Sequence, residues 1–314
     1  MVCGFLNLCK PAGFTSHDCV AKVRRLTRCK RTGHGGTLDP AAIGVLPIAL
    51  GPATRLLQFL PGAKSYAATV RLGITTTTDD LEGEVLTAQS PEALTSLTLE
   101  AISSQISQFI GKIRQIPPQY SAIQVDGQRL YDLARQGKTV EVPERQVQVD
   151  RISIEAWRPG TEPELDLTID CGPGTYIRSI ARDLGAALGV GGTLAHLKRT
   201  ASGGFTLEDS LTLEQLEGAI GQGWQPIDPA LGLAHLPTVT LAEAAVKRWF
   251  FGQAIALSEW PPTPPGGESL KQEQTDPIAR VLDQSGRLLG VGALTTGEAG
   301  PLLAPRVVLP QEHS

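Results

Sequence analysis

Residues 31-RTGHGGTLDPAAIGVLPIALG-51 decide how this chain is read. Gly33, Gly35 and Gly36 surround His34, Asp39 stands between Leu38 and Pro40, and a long apolar run follows. Local rules favour a helix cap. Asp is a strong N-cap residue, Pro is at home in the first helical position, and the glycines then simply permit a tight turn. The competing reading is a reactive carboxylate presented by that turn. A nucleotide-phosphate loop is excluded, because the stretch lacks a terminal Gly-Lys-Ser/Thr and has Leu38 where a dinucleotide fingerprint needs its third glycine.

Outward from this stretch the elements alternate in type. GFLNLCKP (4–11) reads as a strand ending in a proline turn. Ser16 is placed to cap a basic helix with Val20, Val23 and Leu26 at helical spacing. SYAATVRLG (65–73) alternates, with Tyr66, Ala68, Val70 and Leu72 on one face, and the turn TTTTDDLEG follows. An amphipathic helix is expected over 97–111, with Thr98 as its cap. Asp126-Gly127 signals a hairpin whose second limb runs into a helix ending at Gly137. VQVDRISIEAW and ELDLTIDC are alternating strands, and GPGT then leads into a helix, YIRSIARDLGAALG. Strands and helices mix without a βαβ rhythm. The expected class is therefore α+β, with a mixed, largely antiparallel sheet flanked by helices.

Residues 221–236 read as a connection, which gives domains at 1–236 and 237–314. The second carries a helix in TLAEAAVKRWFFGQAIAL, strands IARVLD and RLLGVGAL around a Gln-Ser-Gly turn, and a closing LLAPRVVLP. The stretch 258–276 is too rich in Pro, Gly and polar residues to pack, and is expected to be a mobile loop.

The bulk properties narrow the function. The 314 residues are 41% hydrophobic, an ordinary globular composition. No apolar run reaches the length of a membrane span, and the N-terminus lacks the pattern of a signal peptide, so a cytoplasmic location is expected. Five widely spaced cysteines suggest free thiols rather than disulfides, and no zinc spacing is present. The five histidines show no metal-ligand spacing, and no G-x-S-x-G elbow supports a hydrolase triad. Net charge is −4, yet residues 1–71 carry ten Lys/Arg against Asp18 and Asp39. A cluster of +8 on an acidic chain is the footprint of phosphate contacts, or else a solvated basic face.

Tyr66, Tyr176, Arg178 and His34 each have an ordinary structural explanation when taken alone. Their order is more specific. KPAGFTS (10–16), GHGGTLDPAAIGVLPIALGPATR (33–55), KSYAATVRLG (64–73), DGQRLYDLARQG (126–137) and GTYIRSIARDLG (174–185) together resemble the TruB-type tRNA pseudouridine synthases. The resemblance spans nearly all of 4–205, and the tail resembles the small β-rich PUA-like RNA-binding domain that often follows. Gly35 stands where the family commonly has Thr. Ala41-Ala42-Ile43 replaces a frequent Leu-Ala-Thr, and Thr77 a frequent acid or polar residue.

The resemblance implies the pseudouridine synthase fold and the isomerisation of one uridine, position 55 in the T-arm of tRNA, without cofactor or metal. It implies Asp39 as the catalytic carboxylate, Arg178 as the guanidinium that orients it, and Asp80 as an acid holding that arginine. Tyr66 would stack on the flipped uracil and act in late proton transfer. Tyr176 and Leu197 would line the pocket, and His34 would occupy space near the extruded bases. A stand-alone bacterial form is implied, with tRNA as partner, no membrane, and no guide RNA or obligatory protein. A guide-RNA-dependent relative and a non-catalytic RNA-folding protein are the competing readings.

Overall fold

The apolar run after Asp39 is a strand, and Asp39 caps no helix. The computed structural model describes residues 2–120, 124–125, 128–129, 142–258, 276–297 and 300–311. In it Thr37–Ala42 form an irregular turn with an Ala42 N–H to Asp39 C=O bond of 3.1 Å. The chain then extends immediately. Ile43, Val45 and Ile48 are β-branched, and all but the first residue of the strand is buried, so tertiary packing overrides the local cap signal.

The elements run β1 (Gly4–Lys10), α1 (Ser16–Thr27), β2 (Thr32–His34), β3 (Ile43–Leu50), a 3₁₀ stretch Gly51–Phe59, β4 (Lys64–Leu72), β5 (Ile74–Thr76), β6 (Val85–Ala88), α2 (Pro91–Leu94), α3 (Leu99–Ile106), β7 (Gly111–Gln115), β8 (Gln124–Val125) and β9 (Gln128–Arg129). They continue as β10 (Arg145–Arg158), β11 (Glu164–Cys171), α4 (Ile177–Ala187), β12 (Gly192–Ser202), β13 (Phe205–Thr206), α5 (Leu213–Ile220), α6 (Pro229–Gly232), β14 (Thr238–Leu241), α7 (Glu243–Phe250), β15 (Ile255–Ala256), β16 (Ile278–Asp283), β17 (Leu288–Gly297) and β18 (Gly300–Val308).

A nine-stranded sheet has the order β1-β3-β12-β4-β11-β10-β7, with β2 on β3 and β13 on β12. Its described pairs are antiparallel except β3 with β12, which run parallel through Lys198↔Ile43 and Arg199↔Gly44. The mixed, largely antiparallel expectation holds. Gly44 makes the parallel approach possible. Its φ is +108°, and a Cβ there would lie 2.2 Å from the Arg199 carbonyl oxygen.

The expected face of β4 is buried: Tyr66, Ala68, Val70 and Leu72 join Ile177, Ile180, Ala181 and Leu184 of α4 in one core. Apolar residues of α1 and α5 pack on Leu6, Leu8, Leu46 and Ile48 in another. A second sheet, β14-β16-β17-β18-β15, follows. Phe5, Ala49, Ala53 and Leu56 share a core with Leu288, Val291, Val307 and Leu309, so the two sheets meet through apolar contact. Arg55 adds a bond from Nη1 to the Val308 carbonyl at 2.8 Å.

Two expectations change in detail. Thr15, not Ser16, caps α1: it forms a capping box with Asp18, while Ser16 is the first helical residue and is buried. In the segment 240–257, Thr240 and Leu241 close β14 and the helix begins only at Glu243. Gln124–Val125 pairs antiparallel with Gln128–Arg129. Asp126, Gly127, the helix expected up to Gly137 and nearly all of 258–276 lie outside the described residues.

Candidate active site

The turn that carries Asp39 is held from several elements. Ser16 Oγ accepts from the Leu38 N–H at 2.9 Å and donates to its carbonyl at 3.2 Å. Lys10, at the end of β1, is fully buried and donates from Nζ to the carbonyls of Pro11, Phe14 and Pro40 at 2.8, 2.7 and 3.0 Å. The Gly13 N–H also reaches the Pro40 carbonyl, at 2.9 Å. Arg199, also fully buried, donates to the carbonyls of Gly36, Thr37 and Val45. Donors thus bracket Asp39 on both sides along the chain, so its carboxylate projects from a fixed backbone.

Arg178 meets that carboxylate side-on. Its Nε lies 3.0 Å from Asp39 Oδ2, and Nη2 donates to Oδ1 at 3.2 Å. Nη1 donates to the Thr78 carbonyl at 3.0 Å and stands 3.5 Å from Asp80 Oδ2; Nη2 also reaches the Tyr120 carbonyl at 3.0 Å. Three hydrogen bonds and two ion-pair contacts thus hold the fork in one orientation. Asp80 is fixed in turn by the Thr78 hydroxyl and the Glu82 N–H. Arg178 sits in the first turn of α4, and the start of that helix is pinned by Gln115. The Gln115 amide accepts from the Tyr176 N–H and donates to the Tyr176 carbonyl.

Asp39, Arg178, Tyr66, Tyr176 and Leu197 line one cleft of about 270 Å³, with Lys64 and the Gly36–Leu38 backbone. Asp80 lies behind Arg178. His34 does not line this cleft. It stacks edge-on against His17 with ring centroids 5.3 Å apart, and burial pushes its imidazole below the usual range, with His17 adding to the effect. Among the described residues no cluster of His, Cys, Asp and Glu has metal-binding geometry.

Burial is the largest influence on Asp39 and pushes its carboxyl above the usual carboxylate range; Arg178 opposes this and Asp80 adds to it. Some 37% of the side chain still meets solvent, so the charge is enclosed on the protein side and open towards the cleft. Tyr66 is 6% exposed, and burial likewise pushes its phenol up, against the pull of Arg199. A carboxylate held by a guanidinium below an open cleft, with a phenol in the wall, can attack or stabilise an electron-poor carbon and then move a proton.

Lys10, Gln115 and Arg199 were not singled out as site residues by the sequence, and Ser16 only as a helix cap. A signal existed for Arg199. Leu197 and Arg199 alternate on β12 opposite Ala68 and Tyr66, so both fall on the cleft side of the strand.

A second and larger cavity, about 910 Å³, lies where the two sheets meet and is remote from Asp39 in its lining. Arg28, Lys30, Arg31 and Arg55 line it beside Phe250 and Leu309, and among the described residues no Asp or Glu does. The basic excess of residues 1–71 thus gathers in part into a concave surface.

The N-terminal domain of TruB family pseudouridylate synthases matches residues 24–177. The tRNA pseudouridylate synthase B C-terminal domain matches 178–226, and the C-terminal domain of pseudouridine synthase II TruB matches 237–309. The chain is 53% identical to tRNA pseudouridine synthase B of Gloeothece citriformis, over 98% of this chain and 97% of that one. It is 52% identical to the protein of the same name from Trichormus variabilis, over 97% and 98%. Its fold is similar to that in an H/ACA RNP bound to a substrate RNA containing 2'-deoxyuridine, with TM-score 0.71, 25% identity, and 98% and 86% of the two chains covered. An archaeal box H/ACA sRNP Nop10-Cbf5 complex gives TM-score 0.70 at 25% identity, covering 98% and 87%. The expected pseudouridine synthase fold is therefore correct, and the chain belongs to the TruB family of pseudouridine synthases.

Proposed function

We propose that this protein isomerises uridine to pseudouridine in tRNA, at position 55 of the T-arm, with Asp39 as the catalytic carboxylate. The observation that carries the reading is the side-on Arg178 clamp on Asp39 at a cleft walled by Tyr66, Tyr176 and Leu197. The cleft is sized for one nucleotide and not for a duplex, so the target base must leave its stack to enter. Arg178 keeps Asp39 ionised against burial and aims it at the ribose–uracil unit. Cleavage of the C–N bond, rotation of the uracil and formation of a C–C bond leave the oxidation state unchanged, so the chemistry calls for no redox cofactor. Tyr66 stacks on the flipped ring and handles a proton late in the reaction, Leu197 and Tyr176 shape the pocket, and Asp80 steadies Arg178. His34 acts at the margin, near the displaced bases. The basic cavity between the sheets supports a phosphate-gripping surface.

The reading takes 1–236 as the catalytic domain and 237–314 as a PUA-like RNA-binding domain. It takes the protein as a stand-alone cytoplasmic enzyme that needs no guide RNA. Near-full-length similarity to proteins named tRNA pseudouridine synthase B favours that form over the guide-dependent complexes. No described helix is long and apolar enough to cross a membrane. The test is to incubate T-arm RNA with wild type and Asp39→Asn, and to measure pseudouridine and RNA affinity in parallel. The variant should lose turnover by at least about 10⁴-fold while binding survives. Near-normal turnover by Asp39→Asn would sink the assignment.

A further inference from the structure

Arg199 is a fully buried cation, and among the described residues its partners are not carboxylates. Nε donates to the Val45 carbonyl at 2.7 Å, Nη1 to Thr37 at 3.3 Å and Nη2 to Gly36 at 3.1 Å. The guanidinium also faces the Tyr66 hydroxyl, and the two groups interact electrostatically. Tyr66 stands directly opposite it in the β4–β12 pairing, so the two side chains share a face. The other groups that face Arg199 offer no counter-charge: Lys10, Lys64 and His34. Tyr66 itself faces Arg199, the Cys171 thiol and Asp39. Burying a guanidinium against neutral dipoles alone is costly, and fixing a turn would not by itself require a charge. The geometry leaves one partner that can become an anion in place, the phenol.

We propose that Arg199 is a positioning residue for Tyr66, holding its oxygen as an acceptor and carrying the counter-charge when that oxygen is a phenolate. The inference rests on the function proposed above. Once C1′ is bonded to C5, that carbon still bears its hydrogen and the ring holds a C6=N1 double bond. The Tyr66 phenol gives its proton to N1, directly or through water, and becomes a phenolate. The phenolate takes the C5 proton, the C–H electron pair becomes the C5=C6 bond, and the C6=N1 pair moves onto N1. Tyr66 ends as it began, as a phenol, and no proton is consumed. Arg199 supports the charged form between the two transfers.

Single-turnover assays of the full-length protein test this with T-arm RNA carrying protium or deuterium at C5 of the target uridine. Removing a charge of opposite sign beside Tyr66 should slow conversion about tenfold or more in Arg199→Gln, since such a neighbour shifts a titration by one to three units. RNA affinity should stay near wild type. The C5 deuterium isotope effect should rise above that of wild type, because proton removal becomes the slow step. A wild-type rate overturns the proposal. So does a slow rate with an isotope effect no larger than wild type, which would mean that Arg199 acts only through the turn carrying Asp39. If Arg199→Gln does not fold, Arg199→Lys decides. It keeps a cation beside Tyr66 and loses the guanidinium's fan of carbonyl contacts. A modest slowing with a wild-type isotope effect upholds the charge role, and a tenfold slowing with no change in isotope effect overturns it. Wild type that makes no pseudouridine from T-arm RNA would instead count against the proposed function.

Discussion

Two cavities of this molecule are built on opposite principles. Around Asp39 the space is small, about 270 Å³, and its cations are tied down: Arg178 by two carboxylates and two carbonyls, Lys64 by the Gly62 carbonyl, and Arg199, behind the wall, by three carbonyls. Between the sheets the space is more than three times as large, with four cations and, among the described residues, no lining acid. Charges held in place act on the reacting atoms, since no reorganisation is needed when charge develops. Clustered cations on an open concave surface suit the phosphates of an incoming chain. The first cavity should govern the rate and the second the affinity, and variants in each should separate the two cleanly.

Tyr66→Phe is the sharpest way to break that division from the catalytic side. The ring and its stacking surface remain, while the hydroxyl is lost. Turnover should fall about 10²- to 10⁴-fold, the range for losing a proton-transfer group. RNA affinity should change by no more than a small factor. Equal losses in both would assign Tyr66 to packing. From the other side, the double replacement of Arg28 and Lys30 by Ala should weaken RNA binding roughly tenfold. The slope of log affinity against log salt should become shallower by about two, while the single-turnover rate at saturating enzyme stays unchanged. An unaltered salt slope would remove the basic cavity from the RNA surface.

The smallest effect concerns stability. Burial raises the Asp39 carboxyl above its ordinary value, so the folded state favours the protonated form. The stabilisation this brings is complete below the unfolded-state value and is lost as pH rises through the folded one; at neutral pH the ionised group is a burden. Asp39→Asn should therefore melt at or slightly above the wild-type temperature at pH 7, by roughly one or two degrees. The difference should vanish in acid. A melting point several degrees lower would mean that the pair with Arg178 is worth more than the burial it requires.

Much of this was legible in the chain before any coordinates. Alternation gave the buried face of β4 and the strands β10 and β11, because those segments bury one side against helices and show it as period two. The β3 strand was obscured by a local signal that points elsewhere. Asp-Pro resembles a helix start, and only the sheet neighbours β1 and β12 make extension the better choice. The reactive set could be named from ordered motifs, whereas the groups that hold it could not. Lys10 in CKPAG counted only towards the basic excess of residues 1–71, and Arg199 in LKRTAS was not singled out. Lys10 is held by the local carbonyls of Pro11 and Phe14 and by that of Pro40, and Arg199 by carbonyls more than a hundred and fifty residues away in the chain. His34 was expected near the extruded bases, and the fold sets it beside His17, outside the lining of the Asp39 cleft.

The contact between β3 and β12 has a consequence of its own. Gly44 lets the Arg199 backbone come so near that a single carbon would collide with its carbonyl oxygen at 2.2 Å. The same strand carries Leu197 to the cleft and the Arg199 guanidinium to the carbonyls of the Gly36–Thr37 turn that lines it. The gauge of the active site is therefore set on its far side by a missing side chain. One methyl group added there would act as a wedge, prising Tyr66 and Asp39 apart without touching either.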